Sequence, residues 1–495
     1  MPNCPQIFTM HCIFPNLLLS ALLLAGELCM KQTIGHEQGY ESLSRSRRRE
    51  DQVISPANIT KLQQALRTQG EVKCDETTGM ALDLFKCSKI NIVGFMSIKD
   101  LGSNLTSPNV PFGFASDVWG WTDSSTKKEY ALAGVWDGVS VVDITKPSKP
   151  KLVGFLPTTV PPVSGYWSEM KTFGNVAYIV HEEKDHGVQV LNMARVVKTK
   201  SVAGTTPILK ADVVLNEVGN VHNLVVAAKM GYLLAVGMSS TYTTNPLCVS
   251  GMAAWNIKGA KSVAPQYVGC LFPEIPYVHD AVCDQYKGPD KDHYGQHICV
   301  LSAVTEIIFV NLGSRKIISR GLSYPGVGFV HQSWMSEDQT QLFHNDEEDE
   351  LLRTNGLNGE SVNYIFDIRD LDKPVLLTTV VNKFKSIDHN NFVKGNYIYH
   401  ANYGAGIQIR RILGLGKVEE VSFIDLDDSC PDVCDFSTCE IEPTPDSCEC
   451  YSNPKYFCDV FSGTWGIFPY FESGTLVTST SYDGLFLLKS AEKLK

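Results

Sequence analysis

The chain has 495 residues, 43% of them hydrophobic and only 20% charged, which excludes a disordered polymer and leaves ample material for a large core. Its formal net charge of -11 argues against a nucleic-acid partner, because phosphate binding needs a basic face. Cationic or neutral partners suit the balance better.

The N-terminus reads "MPNCPQIFTMHCIFPNLLLSALLLAGELCMKQ", in which Leu17 to Ala25 form an apolar run too short to span a bilayer as a helix. Residues 1–28 are expected to be a secretory signal peptide cleaved near Ala25 to Cys29. The segment ahead of the run carries no Lys or Arg, which leaves Met10 as an alternative start. No later stretch approaches the roughly 20 consecutive apolar residues of a membrane span, so no transmembrane segment is expected and the mature protein reads as secreted. Residues 29–73 read as an N-terminal extension or propeptide. Within it "SRSRRRE" (44–50) resembles a convertase site built on Arg45, Arg47, Arg48 and Arg49, with cleavage after 48 or 49; an exposed basic tail is the plainer alternative. Asn58 and Asn104 each head an Asn-x-Thr glycosylation acceptor.

Cysteine usage points to the same compartment. With Cys4, Cys12 and Cys29 assigned to the leader, an even set remains, as a disulfide framework requires: Cys74, Cys87, Cys248, Cys270, Cys283, Cys299, Cys430, Cys434, Cys439, Cys448, Cys450 and Cys458. Cys74 with Cys87 and Cys283 with Cys299 are the expected local pairs, each closing a loop of about 15 residues worth ~3 kcal/mol in the chain-entropy model. The last six lie in a Cys-rich insert, 429–458, and their connectivity does not follow from spacing. Zinc is the competing reading there, but Cys-x3-Cys-x4-Cys is a poor match to paired knuckles.

From about residue 110 the chain becomes short β-rich runs separated by Gly, Pro, Asn and Asp. A strand ending in an acid or amide recurs: "GVSVVDI" (138–144), "GVQVLNM" (187–193), "GMAAWNI" (251–257), "EIIFVNL" (306–312) and "SVNYIFDI" (361–368), with looser copies "GIQIRRI" (406–412) and "GLFLL" (484–488). A second mark precedes each copy: "SDVWGW", "YWSEM", "NVHNLV", "YVHDAV", "FVHQSW", "SIDHNNF" and "GTWGIF". Four short strands per unit and seven units predict an all-β fold, a seven-bladed β-propeller of four-stranded antiparallel blades over residues 74–489. The last copy stops short of a fourth strand, while "INIVGF" (90–95) resembles "PKLVGF" and precedes the first copy. That N-terminal strand is therefore expected to complete the last blade and close the ring, removing an exposed edge.

"SDVWGWTDSSTKKEYALAGVWDGVSVVDITKPSKP", "YVHDAVCDQYKGPD", "FVHQSWMSEDQTQLFHNDEEDE" and "IDHNNFVKGNYIYHANYGAGIQI" together resemble the secreted propellers of the choice-of-anchor B family, which carry LVIVD repeats. The resemblance runs from about Cys74 to Leu488. It implies an exported propeller of uncharacterised activity, sometimes attached to a surface by a C-terminal anchor. The tail 490–495 has no hydrophobic stretch, so no anchor is expected. "GYWSEM" and the Cys-rich insert depart from the family pattern.

His222, His279, His331 and His389 occupy the same slot in four consecutive units, near the central channel if the second mark is the innermost strand. Three readings compete. Each histidine hydrogen-bonds to the neighbouring blade as a repeated scaffold element, or the four converge with Asp280 on a divalent metal in the channel, or they sense pH. An enzyme would need them open to a solvent-filled pocket; a scaffold would bury them against backbone. The run Asp346, Glu347, Asp349 raises weak calcium binding at a blade loop, although the spacing does not fit an EF-hand and acidic runs are usually solvated. There is no Gly-x-Ser-x-Gly elbow, phosphate loop or His-Glu-x-x-His. The expected function is extracellular binding or scaffolding toward a protein, glycan or mineral surface, matrix or biomineral association being one version. A metal-dependent extracellular hydrolase or lyase is the alternative.

Overall fold

The computed structural model describes residues 56–103, 114–163, 167–199, 205–239, 247–258, 264–350, 352, 354–357, 359–426, 463–492 and 494. The expected signal peptide (residues 1–28), Arg45, Arg47, Arg48, Arg49, Asn104 and Cys430 to Cys458 lie outside them.

Each repeat folds as four antiparallel strands in chain order from the axis outward, and there are seven such blades, numbered here in chain order. The innermost strands are Ala115–Thr122, Ser168–Phe173, Asn223–Ala227, Asp280–Gln285, Val330–Met335, Asn390–Lys394 and Thr464–Phe468. They are the second sequence mark of every unit. Burial explains the pattern that made the repeat legible. Glu129–Val135, second from the axis in blade 1, is buried along its whole length, because blades cover both its faces. Val375–Lys385, at the rim of blade 5, alternates between exposed and partly buried positions along most of its length, as a half-covered strand does.

Blade 7 takes three strands from the C-terminal end and its fourth, Ile90–Ser97, from the N-terminal end. The closing strand pairs antiparallel with Gly484–Ser490, placing Ile92 opposite Leu488 and Phe95 opposite Phe486. The predicted closure is therefore present. The extension contributes more than expected: helix Pro56–Gln69 packs Leu62, Ala65 and Leu66 into the core shared by blades 6 and 7. Asn58 falls in the first turn of that helix and is partly exposed. No described helix is long and apolar enough to cross a membrane.

Three disulfides reinforce the ring. Cys74–Cys87 fastens strand Phe85–Ser88, which adds to the rim of blade 6; Cys283–Cys299 joins the two inner strands of blade 4; Cys248–Cys270 ties the rim of blade 3. The first two are the pairs that loop length predicted.

Apolar side chains fill most gaps between blades, as in the cluster of Val118, Ala133, Val477 and Leu487 between blades 7 and 1. The gap between blades 5 and 6 differs. Its buried apolar cluster is only Phe343, Ile365, Val393 and Ile398, and buried Asn345, Asn363, Asn382, Asp388 and Arg410 occupy the rest.

Because ring closure depends on a strand drawn from the opposite end of the chain, Ile92→Ala should cost about 2–5 kcal/mol by chemical denaturation, as for a fully buried aliphatic side chain. Val375→Ala, on the exposed rim, should change stability by no more than about 0.5 kcal/mol.

Candidate functional site

The innermost strands set three levels of side chains along the channel. The first level holds Ser116, Ser168, His222, His279, His331, His389 and Trp465. Directional hydrogen bonds link most of them from blade to blade: Ser116 Oγ donates to the carbonyl of Ser168 at 3.1 Å, His279 Nδ1 to that of His331 at 3.0 Å, His331 Nδ1 to that of His389 at 3.0 Å, and His389 Nδ1 to that of Trp465 at 2.6 Å. Ser479 Oγ of blade 7 donates to the Ser116 carbonyl of blade 1. The imidazoles overlap in sequence, with centroids 4.1 Å apart for His222 and His279, 4.3 Å for His279 and His331, and 4.5 Å for His331 and His389. Trp465 and Trp167 stack at 6.0 Å to extend the collar.

A carbonyl can only accept, so Nδ1 of these three histidines carries the proton and Nε2 keeps its lone pair. Burial, reinforced for His279 and His331 by neighbouring histidines, holds them well below the usual range, and burial takes His389 down to about 3. They are neutral at any ordinary pH. His222 departs from the pattern: its Nδ1 meets the Glu182 carboxylate instead of the next blade. This corrects the expectation that four equivalent histidines converge with Asp280. Asp280 points elsewhere, accepting from Asn223 Nδ2 at 3.1 Å and from the Ala281 amide at 2.5 Å.

Glu347, from the acidic run, reaches the collar instead. Its Oε2 lies 3.4 Å from His331 Nε2 and its Oε1 lies 3.7 Å from His389 Nε2, while Tyr403 Oη donates to Oε1 at 2.6 Å. Ligand atoms of His279, His331 and Glu347 fall within 4.8 Å of one another. A lone-pair nitrogen facing a carboxylate oxygen is a pair of acceptors, an arrangement that a cation or proton between them would relieve. Those three are the residues that would hold a transition metal.

The second and third levels line a cavity of about 430 Å³ walled by Trp119, Trp334 and Phe392. Asp117, Glu169 and Asp280 line it too, all at least nine-tenths buried. Lys171 answers them: Nζ sits 3.0 Å from Glu169, 3.8 Å from Asp117 and 4.3 Å above the Trp119 ring. Burial alone would lower Lys171, but Glu169, Asp117 and Asp280 outweigh it and hold the ammonium above its usual range. Burial raises Glu169 well above the carboxylate range, with Asp117 adding to the effect, and pushes Asp280 up to about 6. Three acidic groups thus surround one ammonium, with Glu169 held toward its protonated form. Gly466 makes room for them, since a Cβ there would come within 1.8 Å of Asp117 Oδ1. Sequence reasoning missed Lys171, which stands where other repeats carry Val225, Val282, Trp334 or Phe392.

The acidic run is not a solvated loop. Asp346, Asp349 and Glu350 are fully buried, and Asp346, Glu347 and Asp349 do not share a calcium site. Asp346 is consumed locally: it accepts from Tyr324 Oη and from the amides of Gly328, Phe329, Glu348 and Asp349. Glu347 turns to the channel, and Asp349 turns away from it toward Asp388.

No family model and no curated protein matches this chain. Among solved structures it is similar to Kuenenia stuttgartiensis hydrazine synthase (13% identity over 57% of this chain and 73% of that one, TM-score 0.38). It is similar also to the computationally designed Ika8 protein (10%, 76% and 83%, TM-score 0.40) and to the Myceliophteria thermophila Cps50 (Swd1) β-propeller domain (10%, 73% and 93%, TM-score 0.41). Likeness at this level carries no functional argument.

The buried histidines make stability fall with acid. His344 and His389 both sit at about 3 when folded, against 6.5 in an open chain, so below about 6.5 the unfolded chain takes up protons that the folded chain refuses. Denaturant titrations should show stability intact above about 6.5 and declining steadily toward about 3. Asp280 works the other way between 3.8 and 6, where its folded form retains a proton that the unfolded form releases. Asp280→Asn should therefore raise stability near neutral pH and give no gain near pH 4.

Proposed function

We propose that this chain is a secreted, extracellular binding protein whose channel cavity receives an ammonium or guanidinium group. The group could be a small amine or a basic side chain of a matrix protein. The observation that carries the reading is the composition of the cavity, in which the buried acids Asp117, Glu169 and Asp280 gather around Lys171 beside two tryptophans and a phenylalanine, with Lys287 also in the lining. An incoming cation would relieve carboxylates that one base only partly neutralises, and the aromatic walls would favour it further. A volume of about 430 Å³ suits a small ligand or one long side chain. The paired cysteines and the apolar leader support an oxidising, extracellular location. Kinship with the choice-of-anchor B propellers is part of the same reading, and it rests on the repeat motifs. A glycan or mineral surface would have to use the blade loops instead.

Calorimetry of the purified secreted protein against amines, guanidines and neutral sugars tests it. Amines or guanidines should bind, and Asp280→Asn and Glu169→Gln should each weaken them by at least about tenfold, as loss of a charge-assisted contact does. Binding of sugars alone, or cation binding indifferent to both variants, would contradict it.

The lone pair of His331 facing Glu347 favours a second reading, a transition-metal centre on His279, His331 and Glu347 serving a hydrolase or lyase. Three protein ligands leave a coordination position open, as catalytic zinc requires. Against it, the three collar histidines are no more than 4% exposed, and none is among the residues that line the cavity. Elemental analysis separates the two. A stoichiometric transition metal lost in both His279→Ala and His331→Ala would promote the enzyme reading; no metal, with reduced thermal stability in both, would leave the collar as scaffold.

A further inference from the structure

The polar gap between blades 5 and 6 contains a second cluster that neither the collar nor the cavity uses. Asp346 gathers the amides of Gly328, Phe329, Glu348 and Asp349, and this folds the turn after strand Gln341–Asp346 inward. Asp349 and Glu350, at the end of the acidic run, therefore enter the protein instead of solvent. There they meet Asp388, which precedes the innermost strand of blade 6. One carboxylate oxygen from each of the three lies within 4.8 Å of the others, and all three side chains are fully buried.

Partners account for only part of this charge. Asp349 Oδ2 accepts from Tyr364 Oη at 2.5 Å and Oδ1 from Asn355 Nδ2 at 3.4 Å; Asp388 Oδ2 accepts from Asn363 Nδ2 at 2.5 Å. Both oxygens of Glu350 and Oδ1 of Asp388 have no hydrogen-bond partner. Among the described residues no lysine or arginine forms an ion pair with any of the three. Arg410 donates to Asn363 and Asn382, so its charge is relayed to the cluster through an amide. Isolated buried carboxylates cost far more than their few hydrogen bonds return.

We propose that Asp349, Glu350 and Asp388 bind a calcium ion that clamps blade 5 to blade 6. The donors are all carboxylate oxygens, which suit a hard cation and not zinc or copper. Glu350, with two unpartnered oxygens, offers the bidentate contact that calcium accepts readily. Magnesium retains most of its water and needs near-ideal octahedral geometry, so a wholly buried carboxylate trio fits it less well. The ion would supply across this gap the cohesion that apolar packing supplies between other blades.

The test uses the full secreted chain, stripped with a chelator and titrated separately with calcium and magnesium. The wild-type protein should retain one calcium per chain after dialysis, and calcium should raise the Tm of the stripped protein by about 3–5 °C at a hundredfold excess over Kd, with magnesium giving a smaller shift. Glu350→Gln and Asp388→Asn should each abolish calcium retention and the Tm response, while His331→Ala keeps both. Should neither variant fold, the wild-type titration alone decides. The inference is overturned if the wild type retains no calcium and its Tm ignores the ion, the behaviour of carboxyls that share protons. It is equally overturned if Glu350→Gln responds to calcium as the wild type does, or if His331→Ala is the variant that loses the response.

Discussion

The ring is held at its axis by hydrogen bonds from an innermost-strand side chain of one blade to a backbone carbonyl of the next, made from four of the seven blades. Ser116, His279, His331 and His389 each donate a hydrogen bond to the carbonyl one blade onward. The device works only if the imidazoles stay neutral with the proton on Nδ1, and burial ensures both. Everything else along the axis is placed by it: the collar sets the level of Asp117, Glu169 and Asp280 one residue further along the strands, and Trp119, Trp334 and Phe392 two beyond that.

Charge is distributed unevenly around this scaffold. Between blades 7 and 1 the contact is apolar. On the axis, and again between blades 5 and 6, carboxylates are buried in excess of bases. A fold made only for rigidity would replace such groups with aliphatic side chains at little cost or some gain, because desolvation of buried ions consumes most of their mutual attraction. Their presence in two separate places is the physical reason for assigning both to cations, an organic one on the axis and a metal between blades.

The repeat was legible because its signal is collective. Any one of "GVSVVDI" or "FVHQSW" is an ordinary short strand, whereas seven copies in fixed order imply the blades, and the missing last strand implies closure by residues 90–95. His331 could be placed beside the channel but not interpreted, since its role depends on a carbonyl 58 residues away in the chain. The run from Asp346 to Glu350 was misread for a related reason. Composition favours solvent for five consecutive polar residues, and it is the gathering of amides by Asp346 that turns Asp349 and Glu350 inward. Asp388, one residue ahead of His389 inside a quoted motif, drew no attention, because a single acid shows nothing until Glu350 is brought opposite it.

Nitrogen-15 NMR of the imidazoles in the purified protein tests the central claim most directly. The account predicts His279, His331 and His389 as neutral Nδ1–H tautomers with no titration between about pH 5 and 8. Nε2–H tautomers, or midpoints near the ordinary value of 6.5, would contradict it and leave the blade-to-blade chain of donors without foundation.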